Sequence, residues 1–132
     1  MGGVIIGSEA LAKGVVTRNE LRHHYQRLFP DVYVRGEPTL RDRTVGAWLW
    51  SGRRAVIAGV AASALHGAAY VDTDIPIELV WNNTRPPAGL VVRNETLADD
   101  EIKRVVGIPV TTPARTVFDL GRHYPRDEAV AR

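Results

Sequence analysis

The pattern of apolar and polar positions in the first 36 residues predicts two short helices and a β-hairpin. Ser8 has the side chain and the position of a helix N-cap. Thr17 and Glu20 have the spacing of a capping box, in which each side chain bonds the backbone N–H of the other residue. Two short β-prone runs flank Pro30 and Asp31, which favour a turn. The predicted elements are helices over residues 8–13 and 17–24 and a hairpin over residues 26–36.

The rest of the chain alternates between helical and strand patterns. Thr39 can cap one helix, and Thr112 followed by Pro113 opens another with a capping hydroxyl and a proline at the first helical position. Residues 75–81 alternate in hydropathy like a half-buried strand, so we expect Glu78 to be exposed. The predicted helices cover residues 39–52, 59–66 and 112–123, and the predicted strands cover residues 55–58, 75–81, 90–93 and 105–111.

The end of the chain carries two further helical patterns. The helix that opens at Thr112 contains Val117, Phe118 and Leu120, which we expect on its apolar side. A new helical pattern begins at Pro125, and the sequence stops after about two turns of it. This ending suggests that the 132 residues are the front part of a longer design.

Composition excludes several classes of protein. The chain has 132 residues, 45% hydrophobic and 24% charged, which fits one globular domain or a domain with a small appendage. The absence of cysteine excludes a disulfide framework, a Cys-ligated metal site and a thiol nucleophile. No apolar run reaches the roughly 18 residues of a membrane span, and no signal-peptide pattern is present. We therefore expect a cytoplasmic protein.

Charge is distributed unevenly, although the formal net charge is only +2. Residues 1–60 carry nine cations and five anions, a net charge of +4, whereas residues 61–132 carry eight cations and ten anions, a net charge of −2. Of the 17 basic residues in the chain, 15 are arginine. The net positive charge of residues 1–60, carried mostly by arginine, suggests a partner that carries phosphates.

Four of the nine cations in residues 1–60 fall on the second predicted helix and the hairpin. Arg18 and Arg22 are four residues apart and share a helix face. A helix with paired arginines, followed by an arginine-bearing hairpin, is what a winged helix-turn-helix presents to DNA phosphates. An ordinary solvated basic face has the same pattern, so both interpretations stay open. The candidate DNA-binding residues are Arg18, Asn19, Arg22, Arg27, Tyr33 and Arg35.

The other polar residues favour structural roles. His66, at the end of a predicted helix, has no second histidine within helical reach and is interpreted as a cap. Asp72, Asp74 and Glu78 are interpreted as turn residues plus one exposed strand residue, and residues 99–101 as a solvated acidic turn. Asp31, Glu101 and Lys103 match the letters of a Mg-dependent nuclease core, but 70 residues separate the two halves. We expect no catalytic residue, no metal and no cofactor.

Several segments occur together in an order that resembles a known bacterial group. They lie at residues 14–22, 29–34, 61–67, 76–79 and 109–120, and the Thr-Thr-Pro-Ala-Arg-Thr run at 111–116 is the most specific of them. This order resembles the N-terminal half of actinobacterial-type proteins related to AbiEi antitoxins. In many of these proteins that half precedes a very-short-patch-repair-like endonuclease domain. The resemblance covers nearly the whole chain.

The resemblance implies an α+β fold with two parts. An abbreviated winged-helix-like head over residues 1–36 would bind operator DNA, and a mixed α/β body with a small sheet would cover residues 37–132. Any nuclease motif would lie beyond Arg132, so the resemblance implies a non-catalytic, transcriptional regulatory module of the AbiEi antitoxin type. Its partner would be double-stranded DNA, contacted through the phosphate backbone.

Two alternatives stay open. One is a protein-interaction module that inhibits or positions a toxin or nuclease partner through its acidic half and the Pro-rich loop around Arg85. The other is a truncated remnant of a longer endonuclease-fused protein, as the interrupted final helix suggests.

Overall fold

A computed structural model describes residues 3–67, 74–82 and 85–123 of the chain. Over these ranges the protein combines helices with two β-sheets, so the predicted α+β class is confirmed. The helix predicted from Pro125 onwards and the predicted turn residue Asp72 lie outside the described residues. No helix of the described part is long and apolar enough to cross a membrane.

The N-terminal part of the chain forms a three-stranded antiparallel sheet with two short helices. The predicted hairpin is confirmed, and an additional edge strand precedes it that the sequence pattern did not predict. The strands pair in the order β1-β3-β2, and we call them the N-terminal sheet. The elements are β1 (Val4–Ile6), α1 (Gly7–Ala12), α2 (Arg18–His24), β2 (Tyr25–Phe29) and β3 (Val32–Arg35).

The two helix starts in this part differ from each other. The capping box of α2 is confirmed: Thr17 Oγ1 accepts from the Glu20 N–H at 3.1 Å, and Glu20 Oε1 accepts from the Thr17 N–H at 3.0 Å. The predicted Ser8 cap is wrong, because α1 starts at Gly7 and Ser8 is its second residue. The hydroxyl of Ser8 donates instead to the carboxylate of Asp31 in the hairpin turn.

Helix α3 (Leu40–Trp50) packs against the N-terminal sheet. Thr39 caps it as predicted, with Asp42 completing a capping box. Gly46 lets the helix approach the sheet closely, because a Cβ at this position would lie only 3.1 Å from a methyl group of Leu28 and 3.3 Å from one of Val32. Helix α3 thus covers the face of the sheet that carries Val32.

The remaining described strands form a mixed five-stranded sheet, the C-terminal sheet, in the order β6-β5-β4-β8-β7. Strand β4 is parallel to β8 and antiparallel to β5, and helices α4 and α5 pack against each other. The elements are β4 (Val56–Ala58), α4 (Gly59–Leu65), β5 (Ile77–Val80), β6 (Leu90–Arg93), a 3-10 turn (Asp99–Glu101), β7 (Ile102–Val105), β8 (Ile108–Thr111) and α5 (Pro113–His123).

Three predictions for this half are wrong in part. Strand β5 is buried on both faces, so Glu78 is only 2% exposed where an exposed residue was expected. The single strand predicted over residues 105–111 is a hairpin of β7 and β8, with left-handed backbone at Val106 and Gly107 (φ 53° and 81°). Helix α5 buries Leu120 but exposes Val117 and Phe118, because its inner face also carries polar residues.

One hydrophobic cluster joins the two sheets. It includes Val34 of the N-terminal sheet, Val45 of α3, and Ile57 and Val110 of the C-terminal sheet. Helix α3 connects the two regions because it contacts strands of both sheets. The division into a head over residues 1–36 and a body over residues 37–132 stays a prediction.

Candidate nucleic-acid interface

Helices α1 and α2 follow one another across a short turn, and the hairpin follows directly. The turn over residues 13–17 includes Gly14 in the left-handed region, at φ 71°, which lets the chain reverse between the two helices. No residue of α2 is fully buried, and Leu21 is only half-buried. The capping box therefore defines where α2 begins, while its polar side chains face solvent.

The structure brings several of the predicted site residues together beside α2. Arg18, Arg22 and Tyr33 line one surface depression, whose apolar floor comes from Leu11 and Leu21. The two arginines are four residues apart on one face of α2, as the spacing predicted. Asn19 is exposed near the start of the same helix.

The other predicted site residues lie on one face of the hairpin. Arg27 pairs with Tyr33 and Tyr25 pairs with Arg35, so these four side chains share a face of the sheet. The guanidinium carbon of Arg35 lies 5.7 Å from the ring centroid of Tyr25. We call the surface formed by the candidate residues the α2–hairpin strip; its members are Arg18, Asn19, Arg22, Arg27, Tyr33 and Arg35.

The arginines of this strip are mostly free of internal partners. Within the described ranges, no hydrogen bond or ion pair engages the guanidinium groups of Arg18, Arg22 and Arg27, and all three residues are exposed. Their charges are therefore open to an anionic ligand, and binding one would not require breaking an existing ion pair.

The hairpin turn is fastened to helix α1. Asp31 accepts hydrogen bonds from the Ser8 N–H at 2.9 Å and, through its own carbonyl, from the Gly7 N–H at 2.8 Å. A Cβ on Gly7 would lie 2.6 Å from the ring of Tyr33, so the helix and the hairpin are in close contact. The strand face, and not a freely projecting turn, therefore presents the cations of the hairpin.

A second polar cluster, in the C-terminal half, is organised around Arg115. This side chain is 9% exposed and donates to Glu95 at 2.6 Å, to Glu101 at 3.1 Å and to Asp119 at 3.0 Å. Arg122 also contacts Glu95 and Asp119. We call these five residues the Arg115 network. It ties α5 to the loop before the 3-10 turn and to the turn itself.

Two carboxylates of this network, those of Glu95 and Glu101, have lowered pKa values. Burial alone would raise the pKa of Glu95, but the hydrogen bond from Arg122 and the charges of Arg122, His123 and Arg115 lower it overall. The pKa of Glu101 is lowered by the backbone N–H of Ala98 and then by Arg115. Both pKa shifts favour the folded, ion-paired state at neutral pH.

Glu95, Asp119 and His123 have ligand-type atoms within 4.8 Å of one another. Both carboxylates already accept hydrogen bonds from arginines, and His123 Nε2 lies 3.3 Å from Glu95 Oε2. The guanidinium groups of Arg115 and Arg122 neutralise these two carboxylates, as a bound metal cation would. The group is therefore interpreted as an ion-pair network.

The Thr-Thr-Pro-Ala-Arg-Thr run forms the junction between β8 and α5. The hydroxyls of Thr111 and Thr116 lie 2.7 Å apart, and the Thr116 hydroxyl also donates to the Thr112 carbonyl at 2.8 Å. Nε2 of His66 lies 2.7 Å from the Thr111 carbonyl oxygen, so the structural role predicted for His66 fits, with a carbonyl of β8 as its partner. The most specific motif of the sequence thus has a structural function here.

The buried Glu78 forms a second internal ion pair. Its Oε1 accepts from Nε and Nη2 of Arg93 at 3.0 and 2.8 Å, and its Oε2 accepts from the Val60 N–H at 3.3 Å. Gly59 has φ 62°, and a Cβ there would lie 1.9 Å from Glu78 Oε2. The alternation of β5 gave no sign of this pairing, because Arg93 is on the adjacent strand β6, 15 residues away.

The residues that resembled a nuclease core have other partners. The carboxylate of Asp31 is bonded to Ser8 at the N-terminal sheet, and that of Glu101 is bonded to Arg115 beside the C-terminal sheet. Neither belongs to a group of metal-ligand type within the described residues. The two carboxylates therefore stabilise different parts of the fold.

Comparison with known proteins concerns mainly the C-terminal half. A family model described as the AbiEi antitoxin C-terminal domain matches residues 54–132, which is more than half of the chain. No curated protein matches the sequence. The matched segment contains the C-terminal sheet and the Arg115 network, and it excludes the α2–hairpin strip.

Proposed function

The chain belongs to the AbiEi antitoxin C-terminal domain family, and from that premise we propose that it is a DNA-binding regulatory protein of the antitoxin type. Family membership supports a role in a toxin–antitoxin system. The proposal adds that the N-terminal part binds double-stranded DNA in the cytoplasm, through the α2–hairpin strip, and that the chain acts without catalysis.

The main support for the proposal is that three arginines of the α2–hairpin strip are exposed and have no partner among the described residues. Arg18, Arg22 and Arg27 have no internal partner in the described part of the chain, whereas Arg115 and Arg93 are committed to carboxylates. Exposed guanidinium groups gathered on a helix and the adjacent strand suit phosphate contacts, which displace counterions from DNA.

The order of elements supports the same proposal. A strand, two helices joined by a turn with glycine, and a hairpin occur in sequence, and the strands pair as β1-β3-β2. In helix-turn-helix proteins the second helix enters the major groove and its first residues contact the bases. Helix α2 presents Asn19 at such a position, next to Arg18.

Each strip residue has a proposed role. Asn19 is the candidate base contact, since a side-chain amide can bond an adenine edge with two hydrogen bonds. Tyr33 supports the depression beside α2 and offers a polar hydroxyl. The proposed phosphate contacts are Arg18, Arg22, Arg27 and Arg35.

The proposal is tested by fluorescence anisotropy with a labelled duplex taken from the region upstream of the coding sequence. The variant combines Arg18→Ala with Arg22→Ala, and the matched control combines Lys103→Ala with Arg104→Ala, two exposed cations of β7. We expect the first variant to bind about tenfold more weakly or worse, since each lost phosphate contact costs affinity. The control should bind like the wild type, and equal weakening of both variants would contradict the proposal.

A toxin partner is the second candidate function, and family membership favours it. The sequence-based alternative placed this contact at the acidic half and the loop around Arg85. Co-expression with a toxin encoded beside the chain tests it: rescue of growth by an Arg18→Ala/Arg22→Ala variant would show antitoxin action that needs no DNA contact. Loss of rescue in that variant would favour regulation through DNA.

A further inference from the structure

The outward face of helix α5 is apolar from Ala114 to Gly121. Val117 and Phe118 are 70% and 58% exposed, although the sequence pattern assigned them to the core. With 3.6 residues per turn, they lie opposite the buried face that carries Thr116, Asp119 and Leu120. We call the four exposed residues at this spacing the α5 stripe; they are Ala114, Val117, Phe118 and Gly121.

Phe118 is held in place at the surface by two arginines. The guanidinium carbon of Arg122 lies 4.7 Å from its ring centroid, and that of Arg115 lies 5.8 Å from it. Both arginines are fixed in turn by the Arg115 network. An aromatic side chain that is already ordered loses little conformational entropy when it is covered, and this suits the anchor of an interface.

The order of residues in the stripe is compatible with two-fold symmetry. Its large side chains are central and its small residues are at the ends. In an antiparallel pairing centred between residues 117 and 118, Val117 meets Phe118 of a second copy, and Ala114 meets Gly121. Each contact then occurs twice, as a two-fold interface requires, and the small end residues let the helices approach.

Charge is complementary in the same arrangement. Arg122 lies on the last turn of α5, and it would come to the first turn of the helix in the second copy. The exposed Asp100 lies there, beside Thr112 and Ala114. Arg122 bonds Glu95 and Asp119 through Nη2 alone, so its other N–H groups can meet the carboxylate at the start of the second helix.

From these observations we propose that the chain pairs with a second copy of itself through an antiparallel, two-fold contact of the α5 stripes. The proposal does not depend on DNA binding. Helix α5 has 11 residues and is therefore about 16 Å long, so the contact is smaller than the roughly 1,000 Å² of a stable interface. The dimer is accordingly weak, with a dissociation constant of about 10–100 µM.

Sedimentation velocity of the full chain from about 5 to 500 µM tests the association, a range that spans the expected dissociation constant. Val117→Asp places a charge in the stripe, and Val15→Asp is its matched control, because Val15 is also exposed, at 65%, but lies in the turn between α1 and α2. We expect Val117→Asp to raise the dissociation constant about tenfold or more, and Val15→Asp to leave it unchanged. Circular dichroism checks that both variants remain folded.

Cross-linking with a short bismaleimide tests the antiparallel geometry, since the chain has no cysteine of its own. Val117→Cys lies next to the two-fold axis and should cross-link to itself. Ala114→Cys alone should not, because its two copies are about 10 Å apart along the helix axes. A mixture of Ala114→Cys and Gly121→Cys should cross-link.

Three results would overturn the proposal. The first is a wild-type protein that stays monomeric throughout the concentration range. The second is equal weakening of the dimer by Val15→Asp and Val117→Asp. The third is self-linking of Ala114→Cys as efficient as that of Val117→Cys.

Discussion

The α2–hairpin strip and the Arg115 network use arginine in opposite ways. In residues 54–123, Arg115 is nearly buried and contacts three carboxylates, and Arg93 donates to the buried Glu78. In residues 3–53, Arg18, Arg22 and Arg27 are exposed and, among the described residues, have no ionic partner. A buried arginine needs its partners to remain in the fold, whereas an exposed one is available to an external anion. The difference separates a structural network from a candidate binding surface.

The largest expected effect comes from breaking the Arg115 network. Arg115→Ala removes one of the two arginines that contact Asp119, which is 4% exposed, and leaves Arg122 as its remaining ionic partner among the described residues. We expect the free energy of unfolding to fall by about 2–4 kcal/mol, slightly less than for a fully buried pair, because Glu95 and Glu101 are partly exposed. Urea denaturation measures the change. Arg22→Ala is the control and should change stability by less than about 0.5 kcal/mol.

The buried Glu78 gives the next largest effect. Glu78→Gln keeps the volume but removes the charge that accepts two hydrogen bonds from Arg93. We expect a loss of about 1.5–3 kcal/mol in the free energy of unfolding, the usual range for hydrogen bonds to a charged group. Glu37→Gln changes an exposed carboxylate in the same way. Comparable losses in the two variants would contradict the pairing seen here.

Acidification should loosen α5 by a smaller amount. The pKa values of Glu95 and Glu101 are lowered from the ordinary value of 4.5, so the folded protein binds fewer protons than the unfolded chain near that pH. Their contribution to stability is present above about pH 4.5 and is lost as the pH falls through the lowered values. Hydrogen exchange of the α5 amides should accelerate over this range. In Arg115→Ala the acceleration should be weaker.

The smallest of these effects concerns the start of α2. Thr17→Ala removes the side-chain oxygen that accepts from the Glu20 N–H, at a cost of about 1 kcal/mol in the free energy of unfolding. Helix α2 has seven residues and no buried one, so its first turn should fray, and affinity for DNA should fall with it. Thr96→Ala, at an exposed threonine outside any helix, is the control for both measurements.

Local signals along the chain were sufficient to predict much of the fold. The capping box at Thr17, the cap at Thr39, the hairpin around Pro30 and the helix that opens at Pro113 depend on residues within a few positions of each other. The same holds for Arg18 and Arg22, whose spacing on one helix turn was sufficient to place them together. Short-range geometry therefore accounts for these successes.

The features that the sequence did not predict depend on contacts between residues that are far apart in the chain. The burial of Glu78 follows from helices α3 and α4, which pack against β5, and its partner Arg93 comes from the adjacent strand β6. The inner face of α5 carries Thr116 and Asp119 because Thr111 and Arg115 satisfy their polar groups, and this leaves Val117 and Phe118 outside. One local signal was available: Arg115 and Asp119 are four residues apart on the same helix.

The salt dependence of DNA affinity tests the central claim most directly, because it counts phosphate contacts. The logarithm of the dissociation constant should be measured against the logarithm of salt concentration for the wild type, for Arg18→Ala/Arg22→Ala and for Lys103→Ala/Arg104→Ala. We expect a slope smaller by about 1.8 in the α2 variant, since each lost phosphate contact removes about 0.9, and an unchanged slope in the β7 variant. A slope that is the same in all three proteins would contradict the central claim.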